Sequence, residues 1–178
     1  MRIEQLVPAE PGWKAVFKES DGGETTSRIL GWGIVAGKES ELVGVIVDST
    51  EWPDLPASYA LLAEIFDRVA VSDIAWARTS RWRPMLASLW PEIANVRTIR
   101  VEGTAAQACL LAGWLRSRLG REVELEHAEA KTLIGVDIDG EPAPFPAGDP
   151  PKPADQLSDE LDRLSRDPVY EAAVAATI

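Results

Sequence analysis

Cysteine and histidine are nearly absent from this chain: its 178 residues hold one of each, Cys109 and His127. A single cysteine forms no intrachain disulfide, and one of each type builds neither a zinc cluster nor an iron–sulfur site nor a histidine-rich metal centre. No metal or cofactor is therefore expected, and any catalysis would lean on carboxylates, arginine or serine. Long apolar runs are also missing. No stretch approaches the roughly 20 apolar residues that a bilayer demands, and the opening MRIEQLVPAEPGW carries Arg2, Glu4, Pro8 and Pro11 where a signal peptide would be apolar. The expectation is a cytoplasmic protein with no membrane partner.

Lysine is scarce too, and its distribution gives meaning to the net charge of −11. Residues 1–60 carry 5 basic and 10 acidic groups, and residues 126–178 carry 4 and 12. Residues 61–125 carry 9 basic groups against 7 acidic ones, and all nine are arginine. An acidic chain without a concentrated basic face is not built for nucleic acid, because counterion release needs one. An arginine-bearing middle suits a single acidic protein partner. A chain of this length buries roughly 70% of its unfolded surface and so forms one core-bearing domain, with or without an appendage.

The order of elements reads as α/β: a small mixed sheet flanked by helices, with an N-terminal antiparallel β meander and C-terminal helices. Gly12–Glu19 alternates apolar and polar residues, and Arg28–Ala36 and Leu42–Val47 are rich in β-branched and aromatic residues, so three strands are expected. Ser58 opens a helix with a stripe of Leu61, Leu62, Ile65, Phe66 and Val69. Asp73 and Ser80 are the next N-caps, the second for a helix bearing Trp82, Met85, Leu86, Leu89 and Trp90, with Pro84 tolerated in its first turn. Strand 96–101, helix 105–119 and strand 122–126 form a βαβ unit, its helix opened by a Thr104–Gln107 capping box and stopped by Gly120. Strand 42–47 is expected to join the same sheet. Leu133–Ile138 with Asp139–Gly140 begins a hairpin. The domain plan is a meander over 1–42, an α/β domain over 43–140, a Pro-rich linker over 141–153 and C-terminal helices over 154–178. In the last part Leu157, Leu161 and Leu164 form an apolar stripe, and Asp167–Pro168 opens a final helix.

Catalytic motifs do not emerge. His127, beside Glu126 and Glu129, has no nucleophile motif to act on and reads as structural. Cys109, inside an Ala- and Leu-rich helix, reads as a small inert apolar group. Asp137, Asp139 and Glu141 lack the twelfth-position glutamate of a calcium loop, and Gly31, Gly33 and Gly37 precede no helix and no Lys–Ser/Thr pair. Asp48 and Ser49, at the end of a strand, are the best candidates for a small-ligand pocket. The most informative segment is DIAWARTSRWRPMLASLW at 73–90 together with GWLRSR at 113–118. It concentrates Trp76, Arg78, Arg81, Trp82, Arg83, Trp114, Arg116 and Arg118, residue types that protein interfaces favour. Arg83 and Arg116 are expected to face solvent, so that reversing their charge abolishes partner binding and leaves the fold intact.

VIVDS at 45–49, DIAWAR at 73–78, WRPMLA at 82–87, VEG at 101–103, LLAGWLRSRLG at 110–120 and the tail DELDRLSRDPVYEAAV at 159–174 resemble, in order and spacing, the later half of the OpcA family of glucose-6-phosphate dehydrogenase assembly proteins. The resemblance covers about residues 43–178, whereas residues 1–42 look unlike the family's N-terminal portion. It implies an α/β domain that acts on an enzyme and is not itself one: a non-enzymatic assembly factor or allosteric activator docking on glucose-6-phosphate dehydrogenase, or on another metabolic enzyme, through the Trp/Arg residues. Two alternatives stand beside it. One is a sensor that binds a sugar phosphate or nucleotide near Asp48, Ser49 and Arg78. The other is a component of an unrelated protein complex.

Overall fold

A computed structural model describes residues 3–8, 14–18, 22–35, 41–46, 55–67, 69–71, 73–149, 155 and 166–177. The strands form two sheets. In the first, β1 (Ile3–Pro8) and β4 (Glu41–Ile46) run antiparallel to the second half of β3 (Glu24–Val35), while β2 (Lys14–Lys18) pairs with its first half. β5 (Ala70–Val71) adds to β1 in parallel. Gly31 of β3 is tightly faced: a Cβ there would stand 2.8 Å from the Val7 carbonyl oxygen.

The second sheet has the order β7-β6-β8-β9, built from β6 (Thr98–Gly103), β7 (Glu124–Glu129), β8 (Gly135–Ile138) and β9 (Glu141–Pro142). β6 and β7 are parallel and joined by helix α4 (Ala105–Leu119); the other pairings are antiparallel. This is the expected βαβ unit. Its capping box is present in both directions, Thr104 Oγ1 accepting from Gln107 N and Gln107 Oε1 accepting from Thr104 N, and Gly120 ends the helix in the left-handed region. The Asp139–Gly140 turn has positive φ at both residues, 49° and 85°. A two-residue hairpin of the twist-matching type needs that backbone. Asp139 also accepts from the amides of Arg97 and Thr98, which draws its carboxyl below the ordinary value and ties the turn to the start of β6.

The axis of the core is α4. Ala108, Leu110, Leu111, Ala112, Gly113, Trp114 and Leu115 are all buried, so the helix is covered on more than one side, as an apolar helix must be. β6 supplies Ile99 and Val101 beneath it, and the C-terminal helix α5 (Pro168–Ala175) packs across it with Tyr170, Ala173 and Val174. The approach is closest at Gly113, where a Cβ would collide with the Ala173 carbonyl oxygen and stand 2.7 Å from Thr177 Cγ2. The remaining helices are α1 (Leu55–Ala63), α2 (Ile74–Arg78) and α3 (Trp82–Ala87), followed by a 3-10 turn at Glu92–Asn95.

The α/β class with small mixed sheets, a meander and C-terminal helix is as read from the sequence, with several differences. Strand β4 belongs to the first sheet beside β3, not to the sheet of β6 and β7. β1 is an additional strand that the sequence pattern does not announce. Ser80 is exposed and caps nothing; α3 starts at Trp82 with Arg81 before it and no side-chain cap. Trp90 lies beyond the end of α3 and is 66% exposed, so it is not part of that helix's apolar stripe. The Pro-rich stretch from 141 is anchored as far as Gly148: it starts as β9, Ala143 N donates to the Val136 carbonyl, Pro146 is buried, and the Gly148 carbonyl accepts from Arg81. Asp48, Ser49, Leu157, Leu161 and Leu164 lie outside the described residues, as does the Leu61 side chain.

Candidate functional site

The segment that the sequence singles out begins at Asp73. Burial pushes the carboxyl of this residue up from its ordinary value, against the pull of the hydrogen bonds that it accepts. One oxygen caps α2 by accepting from Ala75 N at 2.7 Å and Trp76 N at 3.4 Å; the other accepts from the Tyr170 hydroxyl at 3.2 Å, and Tyr59 donates to the same carboxyl. Asp167 mirrors this arrangement at the start of α5. Its Oδ1 accepts from Val169 N at 2.9 Å and Tyr170 N at 3.1 Å, and its Oδ2 accepts from the Trp76 indole N–H at 2.8 Å. Each aspartate therefore caps its own helix and holds an aromatic side chain of the other. A buried carboxylate is tolerated only when its lone pairs are satisfied in this way.

Aromatic contacts fill the space between the two caps. The Tyr170 ring lies 5.7 Å from both Trp76 and Phe66, edge-on to the latter, within the range where such pairs add to simple burial. The Arg83 guanidinium stands 3.6 Å over the Trp76 ring, a cation–π contact that sets this arginine flat against the protein. Arg81 reaches back to the carbonyl oxygens of Pro146 and Ala147, both at 2.9 Å, and also to that of Gly148. Phe145, 66% exposed, meets Trp82 edge-on at 5.3 Å. Residues 143–148 thus form a strap over the start of α3.

The eight residues singled out from the sequence are consequently divided by burial. Trp76, Trp82 and Trp114 are in the core, at 4%, 4% and 7% exposure, and present no anchor to a partner. Arg78, Arg81 and Arg83 lie half-buried along α2 and α3. Arg116 and Arg118 lie apart from them at the C-terminal end of α4. Arg116 is half-buried, donating to the Val123 carbonyl at 2.9 Å and the Ala176 carbonyl at 3.3 Å, with Glu122 at 3.4 Å. Of the eight, only Arg118 is fully solvent-facing. The expectation that Arg83 and Arg116 are free surface charges is thereby corrected, because one is stacked on an indole and the other ties α4 to β7 and α5.

Three aromatics are exposed among the described residues, Phe17, Trp90 and Phe145; the sequence reading counts the first two among apolar-face residues and passes over the third. The signal for Trp90 is the proline that follows it; Phe145, alone among prolines, carries none. His127 lies within β7, its Nε2 2.9 Å from the Gly103 carbonyl oxygen and 3.5 Å from Glu129. Cys109 is half-buried with its thiol pushed up by burial, as suits an inert packing residue. Among the described residues, no three His, Cys, Asp or Glu side chains converge to hold a metal ion, and no helix is long and apolar enough to cross a membrane.

No curated protein matches this chain. A family model does, over a span that begins just before β5 and ends just past the strap, so the strap belongs to the matched unit while α5 and nearly all of the first sheet lie outside it. The resemblance to the later half of the OpcA family holds over this span: residues 69–150 match the model of the OpcA C-terminal domain, that of a glucose-6-phosphate dehydrogenase subunit.

Proposed function

We propose that this protein is a non-enzymatic cytoplasmic factor that docks on a glucose-6-phosphate dehydrogenase and promotes its assembly or activity. The observation that carries the reading is the match over residues 69–150 to a family named for that dehydrogenase. Two physical features support it. The one buried carboxyl among the described residues of the matched segment, Asp73, has its lone pairs used by helix capping and tyrosine hydroxyls, an arrangement that serves the fold. The basic groups of the segment are nearly all arginines, of which Arg97, Arg100 and Arg118 are exposed and Arg78 is half-buried, and arginine is the residue that protein interfaces favour for carboxylate recognition.

In this reading Trp76, Trp82 and Trp114 hold the arginine-bearing helices in place and the arginines meet the partner. Mixing the purified chain with the dehydrogenase of its source organism tests the proposal. A complex larger than either component, with a changed dehydrogenase rate, is expected; separate masses and an unchanged rate refute it.

A further inference from the structure

β2 and the first half of β3 make a two-stranded ribbon that nothing covers among the described residues. Along β2, Lys14, Val16, Phe17 and Lys18 are exposed, with Val16 at 57% and Phe17 at 46% and pointing to opposite faces of the strand. The opposing Glu24, Thr25 and Thr26 are exposed as well. A two-stranded ribbon with both faces in water is marginal by itself, and an uncovered edge strand with apolar side chains invites another strand.

A second edge of matching length lies in the other sheet. β7 pairs with β6 on one side and, among the described residues, with no strand on the other. It carries Glu124, Glu126 and Glu129, all exposed, around the half-buried Leu125 and Ala128. Charge excludes like-with-like pairing: two β2 edges bring lysines together, and two β7 edges bring six glutamates together, which cross-strand neighbours do not tolerate. The unlike pairing brings opposite charges together. With the strands antiparallel and Phe17 opposite Leu125, Lys18 stands opposite Glu124 and Lys14 lies diagonal to Glu126, within reach of a long side chain.

We propose that β2 of one copy of this chain adds to the free edge of β7 of a second copy, so that the protein self-associates by strand addition between a basic and an acidic edge. Backbone hydrogen bonds supply the contact and the charges select the partner edge, as in other strand-addition interfaces. Two copies that exchange both edges close the assembly.

Light scattering and sedimentation over a concentration series test this. The expected result is a mass above the 19.4 kDa of one chain, rising with protein concentration and falling with salt. Lys14→Glu with Lys18→Glu, and separately Glu124→Lys with Glu126→Lys, should each weaken association by about tenfold or more, since attraction becomes repulsion at each pair. Mixing the two reversed proteins should restore it, because the first protein's acidic β2 pairs with the second protein's basic β7, and its unaltered acidic β7 pairs with the second protein's unaltered basic β2. Amide exchange on the unaltered chain gives an independent reading: protection at 14–18 and 124–129 should rise with concentration. A monomeric mass throughout, association indifferent to both reversals, a mixture that stays monomeric, or concentration-independent exchange at the two edges overturns the proposal.

Discussion

Replacing Asp73 by alanine should be among the most damaging single changes in the described part of the chain. The carboxylate caps α2 through Ala75 N and Trp76 N, and loss of such a cap costs about 1 kcal/mol. It also accepts from the hydroxyls of Tyr170 and Tyr59, both buried. Each hydroxyl left without a partner costs about 1–3 kcal/mol. The burial cost of the carboxylate itself is recovered on its removal, so the net loss is about 2–4 kcal/mol. For a chain of this size that is a fall in Tm of roughly 5–15 °C. Urea unfolding with the slope held common to both proteins measures it, and Tyr170→Phe alone should cost only about 1 kcal/mol. The double variant should then fall short of the sum of the singles by about 1 kcal/mol or more, since the two side chains share a bond. A loss below about 1 kcal/mol for Asp73→Ala, or strict additivity with Tyr170→Phe, would refute the reasoning that the reciprocal caps lock α5 onto α2.

Other outcomes follow from the same geometry. Tyr59 and Tyr170 are the only tyrosines, and burial raises both well above the ordinary phenol value; an alkaline absorbance titration should therefore show no phenolate at about pH 10 while the protein is folded, and both should ionise together on unfolding. Because their folded values are raised, the stability they contribute is complete below the unfolded value and is lost as pH rises through the folded one. Asp139 has the opposite sign: its folded value is lowered, so its contribution is present above the unfolded value and disappears as the solution is acidified through the folded one, and Asp139→Asn should flatten that acid limb in pH-dependent denaturation. Gly113→Ala should cost about 1–3 kcal/mol by urea unfolding, since the added methyl meets the Ala173 carbonyl oxygen and Thr177. Arg116→Glu should lower thermal stability, as it breaks the ties to Val123 and Ala176, whereas Arg118→Glu at a solvent-facing position should change it by no more than about 0.5 kcal/mol.

Features written in a few adjacent residues are legible in the sequence. The Thr104–Gln107 box, the Gly120 stop, the Asp139–Gly140 turn and the Asp167–Pro168 start all depend on local backbone and nearby side chains, and each is found where the sequence places it. The features that escape it are non-local. β1 buries Gln5 and takes its partners from β3 and the two-residue β5, so its pattern shows no clean alternation. β4 resembles a central strand of the βαβ sheet by composition, yet its register is set by β3. The strap looks like a linker because of its prolines, but prolines keep their carbonyls, and Arg81 binds Pro146 through one.

The candidate site shows the same division. Tryptophan and arginine content marks the right region, but α2 has five residues and α3 six, too few turns for a periodic stripe to reveal which side faces inward. The inward position of Trp76 is decided by Asp167, 91 residues away in sequence.

The proposed docking on a glucose-6-phosphate dehydrogenase, with arginines at the contact, is tested most directly by titrating that enzyme with the unaltered chain and with Arg118→Glu, each shown to melt at the same temperature. Saturable binding of the unaltered chain is expected, and binding weaker by about tenfold or more for the variant. No binding by the unaltered chain, or equal binding by both, would contradict it.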